Sequence, residues 1–328
     1  MAGPVVVLAG GTGGAKLARG MLEIVGEDLT VVVNTADDVE VHGAAVSPDP
    51  DLVSFWLADA IDERGWGLDG DTFHVMDALR ELGAPDAWFA LGDRDLAWCL
   101  ERARRLADGE TPTQAHAALT AALGVTARVL PMCDEPVRTR VRARGAWHGL
   151  QEFLIRERAE GPVEDVVLDG IDAAQPTRAV LAAIAAAGAI VIGPSNPVIS
   201  IGPILAVPGL REALAAAAAP VVAVSPIVGG AVLKGPTAAF LEHAGLAVSA
   251  AGIAGAYAGV IDGLLADEDD GVAGVPVAVA DTLMADAAGR ARVARAALDL
   301  AGGLVSGDMG IDNHRTGSAG PSRRGAAP

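Results

Sequence analysis

Two short segments hold most of the residues able to do chemistry. The first, Gly10-Gly-Thr12-Gly13-Gly14-Ala-Lys16, follows the apolar run Val5–Ala9 and leads into an amphipathic stretch. An apolar strand, a glycine turn and a helix start make an anion site. The glycines let the backbone approach phosphate, and the first N–H groups of the helix point at it. The second segment, Asn34-Thr-Ala-Asp37-Asp38, ends the run Leu29–Asn34 and is followed by Ser47-Pro-Asp49-Pro-Asp51. Carboxylates at this density repel one another unless a cation or an arginine sits among them. Mg²⁺ takes one or two carboxylates together with water and substrate phosphate oxygens, which matches this supply. The bland alternative is solvated turn aspartates and a helix cap, above all for Asp38 and Asp49. His42 reads as structural.

The glycine loop fits neither standard fingerprint. A Walker A motif needs Gly-Lys-Ser/Thr where this chain has Gly14-Ala15-Lys16-Leu17, and a dinucleotide fingerprint would place its third glycine at Lys16. Three further clusters carry polar groups. In Leu91-Gly-Asp93-Arg94-Asp95 two readings are open: the acids cap a helix, or they hold the Arg94 guanidinium toward a phosphate. Leu130-Pro-Met-Cys-Asp134-Glu135 follows a short apolar run. Pro194-Ser195-Asn196-Pro197 and Ser225-Pro226-Ile-Val-Gly229 each follow a Val/Ile strand, and suit either recognition of a base, ribose or phosphate or plain proline turns. There is no nucleophile elbow and no histidine-rich metal spacing.

The elements that must position these groups repeat as strand and helix. Strands are predicted at Val5–Ala9, Leu29–Asn34, Arg128–Leu130, Val163–Leu168, Ala189–Gly193, Pro220–Val224, Ala247–Ser249 and Val275–Ala280. Their continuous apolar character marks strands covered on both faces. The predicted fold class is α/β and Rossmann-like, a mostly parallel sheet with helices on both faces. The phosphate loop and the acids then meet at the C-terminal edge of the sheet, where such folds bind ligands. Between about 52 and 124 the strand signal nearly vanishes, so a helical insertion follows the second strand. It carries Trp56, Trp66, Trp88 and Trp98, which are core residues or the wall of a pocket for a planar ligand. Trp147–Ile155 reads as an antiparallel addition. Residues 1–302 read as one α/β domain and 303–328, rich in Gly, Ser and Pro, as a disordered tail.

Composition bounds the partners. The chain has 328 residues, 51% hydrophobic, with 24 basic against 42 acidic residues and a net charge of −18. That balance argues against nucleic acid or an anionic membrane as partner, and it leaves phosphate to backbone N–H groups, a few placed cations or a metal. Two cysteines make no disulfide framework, which fits a reducing cytoplasm. Ala213–Leu233 holds no charged residue, yet Pro220, Pro226 and Gly229-Gly230 break it, against a membrane span.

Taken together, GGTGG, NTADD, SPDPD, LGDRDLA, LPMCDEP, GPSNPVISIGPIL, SPIVGG and VAVADTLM resemble, in order and spacing over about Val5 to Ala301, the 2-phospho-L-lactate transferases of coenzyme F-420 biosynthesis. The likeness is strongest to the actinobacterial branch, the phosphoenolpyruvate transferases. The resemblance implies a homodimer and a transferase of the EC 2.7.8 type. Its acceptor is the deazaflavin Fo and its donor a guanosine diphosphate ester of an enolpyruvyl or lactyl group. A ribityl hydroxyl of Fo attacks the phosphorus nearest the acid and GMP leaves. It further implies Mg²⁺ on Asp37 and Asp51, the same pair acting in catalysis. Fo is expected near Asp51, Ala90, Asp93 and Arg94, and the donor on Gly10, Gly11, Thr12, Gly13, Gly14, Ser195 and Asn196. One departure stands out: the family often has Ala-Thr-His after LGDRDL, where this chain has Ala97-Trp98-Cys99. Two other classes compete, a non-catalytic nucleotide-sugar-binding regulator on the same fold and an NAD(P)-dependent oxidoreductase; Lys16 at the third glycine position argues against the latter.

Overall fold

The computed structural model describes residues 3–233 and 235–307. The chain opens with β1 (Val5–Ala9), α1 (Gly11–Val25) and β2 (Leu29–Val33), then a hairpin of β3 (Val39–Val41) and β4 (Ala44–Val46). Four helices follow: α2 (Pro48–Leu57), α3 (His74–Glu81), α4 (Asp93–Ala107) and α5 (Pro112–Ala122). After β5 (Arg128–Pro131) come β6 (Arg138–Ala143), β7 (Ala146–Gly149), α6 (Leu150–Ile155) and β8 (Val163–Asp169). The second half runs α7 (Arg178–Ala186), β9 (Ala189–Ile192), α8 (Ile201–Ala206), α9 (Leu210–Ala215) and β10 (Val221–Val224). A small hairpin, β11 (Ile227–Val228) with β12 (Ala231–Val232), precedes α10 (Thr237–His243), α11 (Ala250–Ala256), β13 (Gly263–Ala266), β14 (Val277–Val279) and α12 (Ala287–Ser306).

Seven strands form one sheet in the order β14-β13-β10-β9-β1-β2-β5, every pairing parallel. From β1 the chain steps outward through β2 to β5, then crosses back to β9 on the other side of β1. The loops after β1 and β9 therefore diverge at a topological switch point, the crevice where open α/β sheets bind ligands. Alternate residues of β1 feed opposite cores. Val6 and Leu8 join Ile184, Ile204 and Leu210, whereas Val5, Val7 and Ala9 join Leu17, Val53 and Val293. That two-sided burial is why the strand reads as an unbroken apolar run.

The Rossmann-like layering and the insertion after the second strand stand as expected; the insertion opens with the β3–β4 hairpin. Other expectations need correction. Val163–Leu168 is a strand, but it belongs to a separate antiparallel sheet of order β7-β6-β8. Ala247–Ser249 is not a strand, because Ser249 caps α11 by accepting the Gly252 N–H at 3.0 Å. Of Trp147–Ile155 only the start pairs, in β7; the rest coils into α6. Helix α12 runs to Ser306, with Leu304 packed on the core, so residues 303–306 belong to the helix and not to a tail. The remainder of the expected tail, 308–328, lies outside the described residues.

Helix α12 crosses α1 at Gly20, where a Cβ would lie 2.5 Å from the Arg290 carbonyl oxygen and 2.7 Å from its carbon. Gly20→Ala sets a helix-propensity gain of ~1 kcal/mol against an overpacking cost of about 1–3 kcal/mol. The obstacle is backbone, so overpacking wins, and the urea midpoint is expected to fall. A raised midpoint would show that α12 yields freely at this crossing.

Candidate active site

The glycine loop lies at the switch point. Gly10 is the N-cap of α1 and offers no side chain to the helix's first N–H groups. The Gly11 N–H donates to Asp49 Oδ1 at 2.5 Å, and the Gly10 N–H reaches Ser195 Oγ at 3.4 Å. A Cβ on Gly13 would collide with the Pro194 carbonyl oxygen. That glycine is required by the packing of the two switch-point loops, not by a ligand alone. The loops wall a cavity of 570 Å³ whose lining includes Gly10–Gly13, Lys16, Ser195, Asn196 and Thr282. The Asn196 side chain is already engaged, accepting from the Val198 and Ile199 N–H groups at 2.8 and 3.2 Å. Thr282, from the VAVADTLM segment, has its buried hydroxyl without a hydrogen-bond partner among the described residues. Lys16 donates to the Met284 carbonyl at 3.1 Å. Sequence reading missed both; for Lys16 the signal was its place one turn into the helix behind the glycines.

Asn34, at the C-terminal end of β2, organises the acids. Its Nδ2 donates to Asp49 Oδ2 at 2.9 Å and approaches Asp37 Oδ1 at 3.5 Å, and Gln151 Nε2 reaches Asp37 Oδ2 at 3.3 Å. Burial, then the charges of Asp49 and Asp38, hold the Asp37 carboxyl well above the usual carboxylate range. Burial pushes Asp49 up to about 6 against the hydrogen bonds from Asn34 and Gly11, and it pushes Asp38 up to about 7. Carboxylates that resist ionisation this strongly fit a site completed by a cation.

Asp51 stands differently. It forms a buried ion pair with Arg102 from α4, and it accepts the Trp98 indole N–H at 2.7 Å. Asp51, Asp95 and Cys99 lie close enough to bracket a metal. The Arg102 guanidinium already supplies the positive charge there, so this trio is an ion-pair network. Asp95 is pushed up to about 7 by burial and by the charge of Asp51. Asp37 and Asp49, which line the glycine-loop cavity, have no such ion pair among the described residues.

A second cavity, of 540 Å³, opens between the helical insertion and α6. Phe55, Trp66, Trp88 and Phe89 give it an aromatic lining, with Ala90, Leu91 and Asp51 on its wall. Asp93 and Arg94 do not line it. Asp93 accepts from Thr72 Oγ1 at 2.6 Å and from the His74 and Val75 N–H groups at 3.0 and 2.9 Å, so it caps α3. Asp71 returns the favour at α4, accepting the Arg94 and Asp95 N–H groups at 2.9 and 3.0 Å. Arg94 itself is exposed and donates to the Asp69 carbonyl at 2.9 Å. Capping is thus the reading of LGDRD that the geometry favours. The two cavities share Asp37, Asp49 and Leu154. A chamber walled by the glycine loop and one lined by aromatic side chains therefore meet at a pair of buried acids.

Comparison with known proteins places the chain in a family. The family model described as 2-phospho-L-lactate transferase CofD matches residues 5–283. A phosphoenolpyruvate transferase of Kitasatospora aureofaciens is 42% identical over 313 residues, covering 90% of this chain and 97% of that protein. A 2-phospho-L-lactate transferase of Methanosarcina mazei is 41% identical over 269 residues, covering 81% of this chain and 88% of its own length. Among solved structures, a Bacillus halodurans protein of the UPF0052 family superposes with a TM-score of 0.59 at 19% identity, covering 91% of this chain and 99% of that one. That likeness speaks to the fold alone. With the motifs in order, two chambers meeting at buried acids and a family match over most of its length, the chain belongs to the 2-phospho-L-lactate transferase CofD family.

Proposed function

We propose that this enzyme moves a phosphoenolpyruvyl or 2-phospholactyl group from a guanosine diphosphate-linked donor to the deazaflavin Fo, giving dehydro-F-420-0 or F-420-0 and GMP. The observation that carries the reading is the meeting of the two cavities at Asp37 and Asp49. The glycine-loop chamber suits a nucleoside diphosphate, because Gly10–Gly13 at the start of α1 and Lys16 line it. The aromatic chamber suits the flat deazaflavin. At the junction the ribityl hydroxyl oxygen bonds to the phosphorus bearing the acid, the P–O bond to the nucleotide phosphate breaks, GMP takes the electron pair, and the hydroxyl proton passes to water. Such a transfer needs positioning and charge stabilisation and no nucleophilic side chain.

The acids at the junction fit Mg²⁺: two buried carboxylates with raised proton affinity, their other hydrogen bonds coming from the neutral groups of Asn34, Gln151 and Gly11. Asp37 and Asp49 would hold the ion, which would offset charge developing on the phosphates. Asp51, tied to Arg102, would hold its wall of the Fo chamber in shape.

Two substitutions separate these roles. Asp37→Asn removes a charge that burial already disfavours, so the melting temperature should hold or rise. Transfer to Fo, followed by chromatography of the deazaflavin product, should drop by about a hundredfold or more. Asp51→Asn instead strands the Arg102 guanidinium and should cost about 3–5 kcal/mol of stability by urea titration. Equal stability loss in both variants would void the distinction. A third variant probes the acceptor: Trp66 is 48% exposed at the mouth of the aromatic chamber, so Trp66→Ala should fold normally. It should bind Fo about two- to tenfold more weakly, the scale of one aromatic contact, with GDP affinity unchanged. Weakened GDP binding with intact Fo binding would reverse the assignment of the chambers.

A further inference from the structure

A third cavity, of 580 Å³, also opens onto Asp37. It lies between the β3 turn and the antiparallel sheet, with Arg138, Arg140 and Arg156 on its lining. The reacting phosphorus of the proposed transfer has three bulky neighbours: the nucleotide, the incoming deazaflavin and the three-carbon acid. Two chambers take the first two. The acid has a carboxylate, and the aromatic chamber offers it no basic side chain among the described residues, whereas the third cavity sets its arginines among acids of its own, Asp37, Asp38, Glu40, Asp86, Glu152 and Asp169.

The arginines of the third cavity are not equivalent. Arg140 pairs with Asp169 at 3.4 Å and Arg156 with Glu152 at 3.1 Å. Arg138 has no carboxylate within salt-bridge distance among the described residues; its Nη1 donates to the carbonyl of its neighbour Val137 at 2.8 Å. Asp38, on the same lining, accepts the Ser47 hydroxyl at 2.6 Å. The position of Arg138 is fixed by the chain itself, since the N–H of the next residue, Thr139, donates to the Ala36 carbonyl at 2.6 Å and pins the start of β6 to the loop that carries Asp37. A half-buried guanidinium on the wall of a cavity that also reaches Asp37, its charge acting on Asp38 without a direct ion pair, is suited to receive a carboxylate.

Resting on the transferase reading, we infer that Arg138 binds the carboxylate of the three-carbon acid, in a subsite distinct from the nucleotide and deazaflavin chambers and reached past Asp37. The same contact would hold the acid after transfer, so the product should bind through it while Fo, which lacks the acid, should not feel it.

The test is equilibrium binding to the full-length protein, read by deazaflavin fluorescence, with Fo and with the transfer product F-420-0 as the two ligands. For Arg138→Met, Fo affinity should stay within about twofold of the parent while product affinity falls by about tenfold or more, the scale of a lost charge-assisted pair. Arg138→Lys, which keeps the charge but not the fork, should recover part of the loss. Unchanged Fo binding certifies the fold of each variant. Product affinity that survives Arg138→Met overturns the subsite and leaves the transferase reading standing. Parent protein that binds neither deazaflavin overturns both.

Discussion

Buried carboxylate charge is the constraint on which this structure turns. Four aspartates crowd the C-terminal edge of the sheet, and each is handled by a different device. Asp51 is given an arginine, Asp38 a serine hydroxyl, and Asp49 the first N–H of α1 together with Asn34. Asp37 receives two long contacts, from Asn34 and Gln151, and is left the least satisfied. The cost of burying a charge grows as its partners thin out, so the imbalance is greatest at Asp37. It falls where the cavities meet.

The Asp51–Arg102 pair shows the same constraint in its structural form. Arg102 lies in α4, whereas Asp51 lies in α2, the helix of the insertion that packs on α1 and the sheet. The pair therefore fastens α4 to α2, and through it to the Rossmann-like core, across a buried surface. The departure from the family at Ala97-Trp98-Cys99 falls on this fastening, with the Trp98 indole N–H joining Arg102 on the Asp51 carboxylate. The substitution is absorbed as part of the ion-pair network behind the aromatic chamber.

The sheet was legible because its strands are covered on both faces, which leaves unbroken apolar runs such as Val5–Ala9 and Ala189–Ile192. Strand β6 escaped for the opposite reason. Arg138-Thr-Arg-Val-Arg-Ala alternates charged and apolar residues, and one face of its small sheet is open. The glycine loop and the acids were legible as a site, but not which acid did what. SPDPD reads as a loop because of its prolines, yet Pro48 opens α2 and proline is well placed in a first helical turn.

Once α2 is a helix, the division of labour follows from its geometry. Asp49 and Asp51 are two residues apart, about 200° around the axis at ~100° per residue, so their carboxylates take different partners although both residues line the aromatic chamber. Asp49 turns to the glycine loop and Asn34; Asp51 turns to α4 and Arg102. One rigid turn of helix thus touches the phosphate loop, the acid pair and the fastening of the insertion at once. A displacement of the insertion that carried Asp51 with it would rotate Asp49 against Gly11. The aromatic chamber and the glycine loop are therefore joined through the backbone of α2 and not through flexible side chains alone.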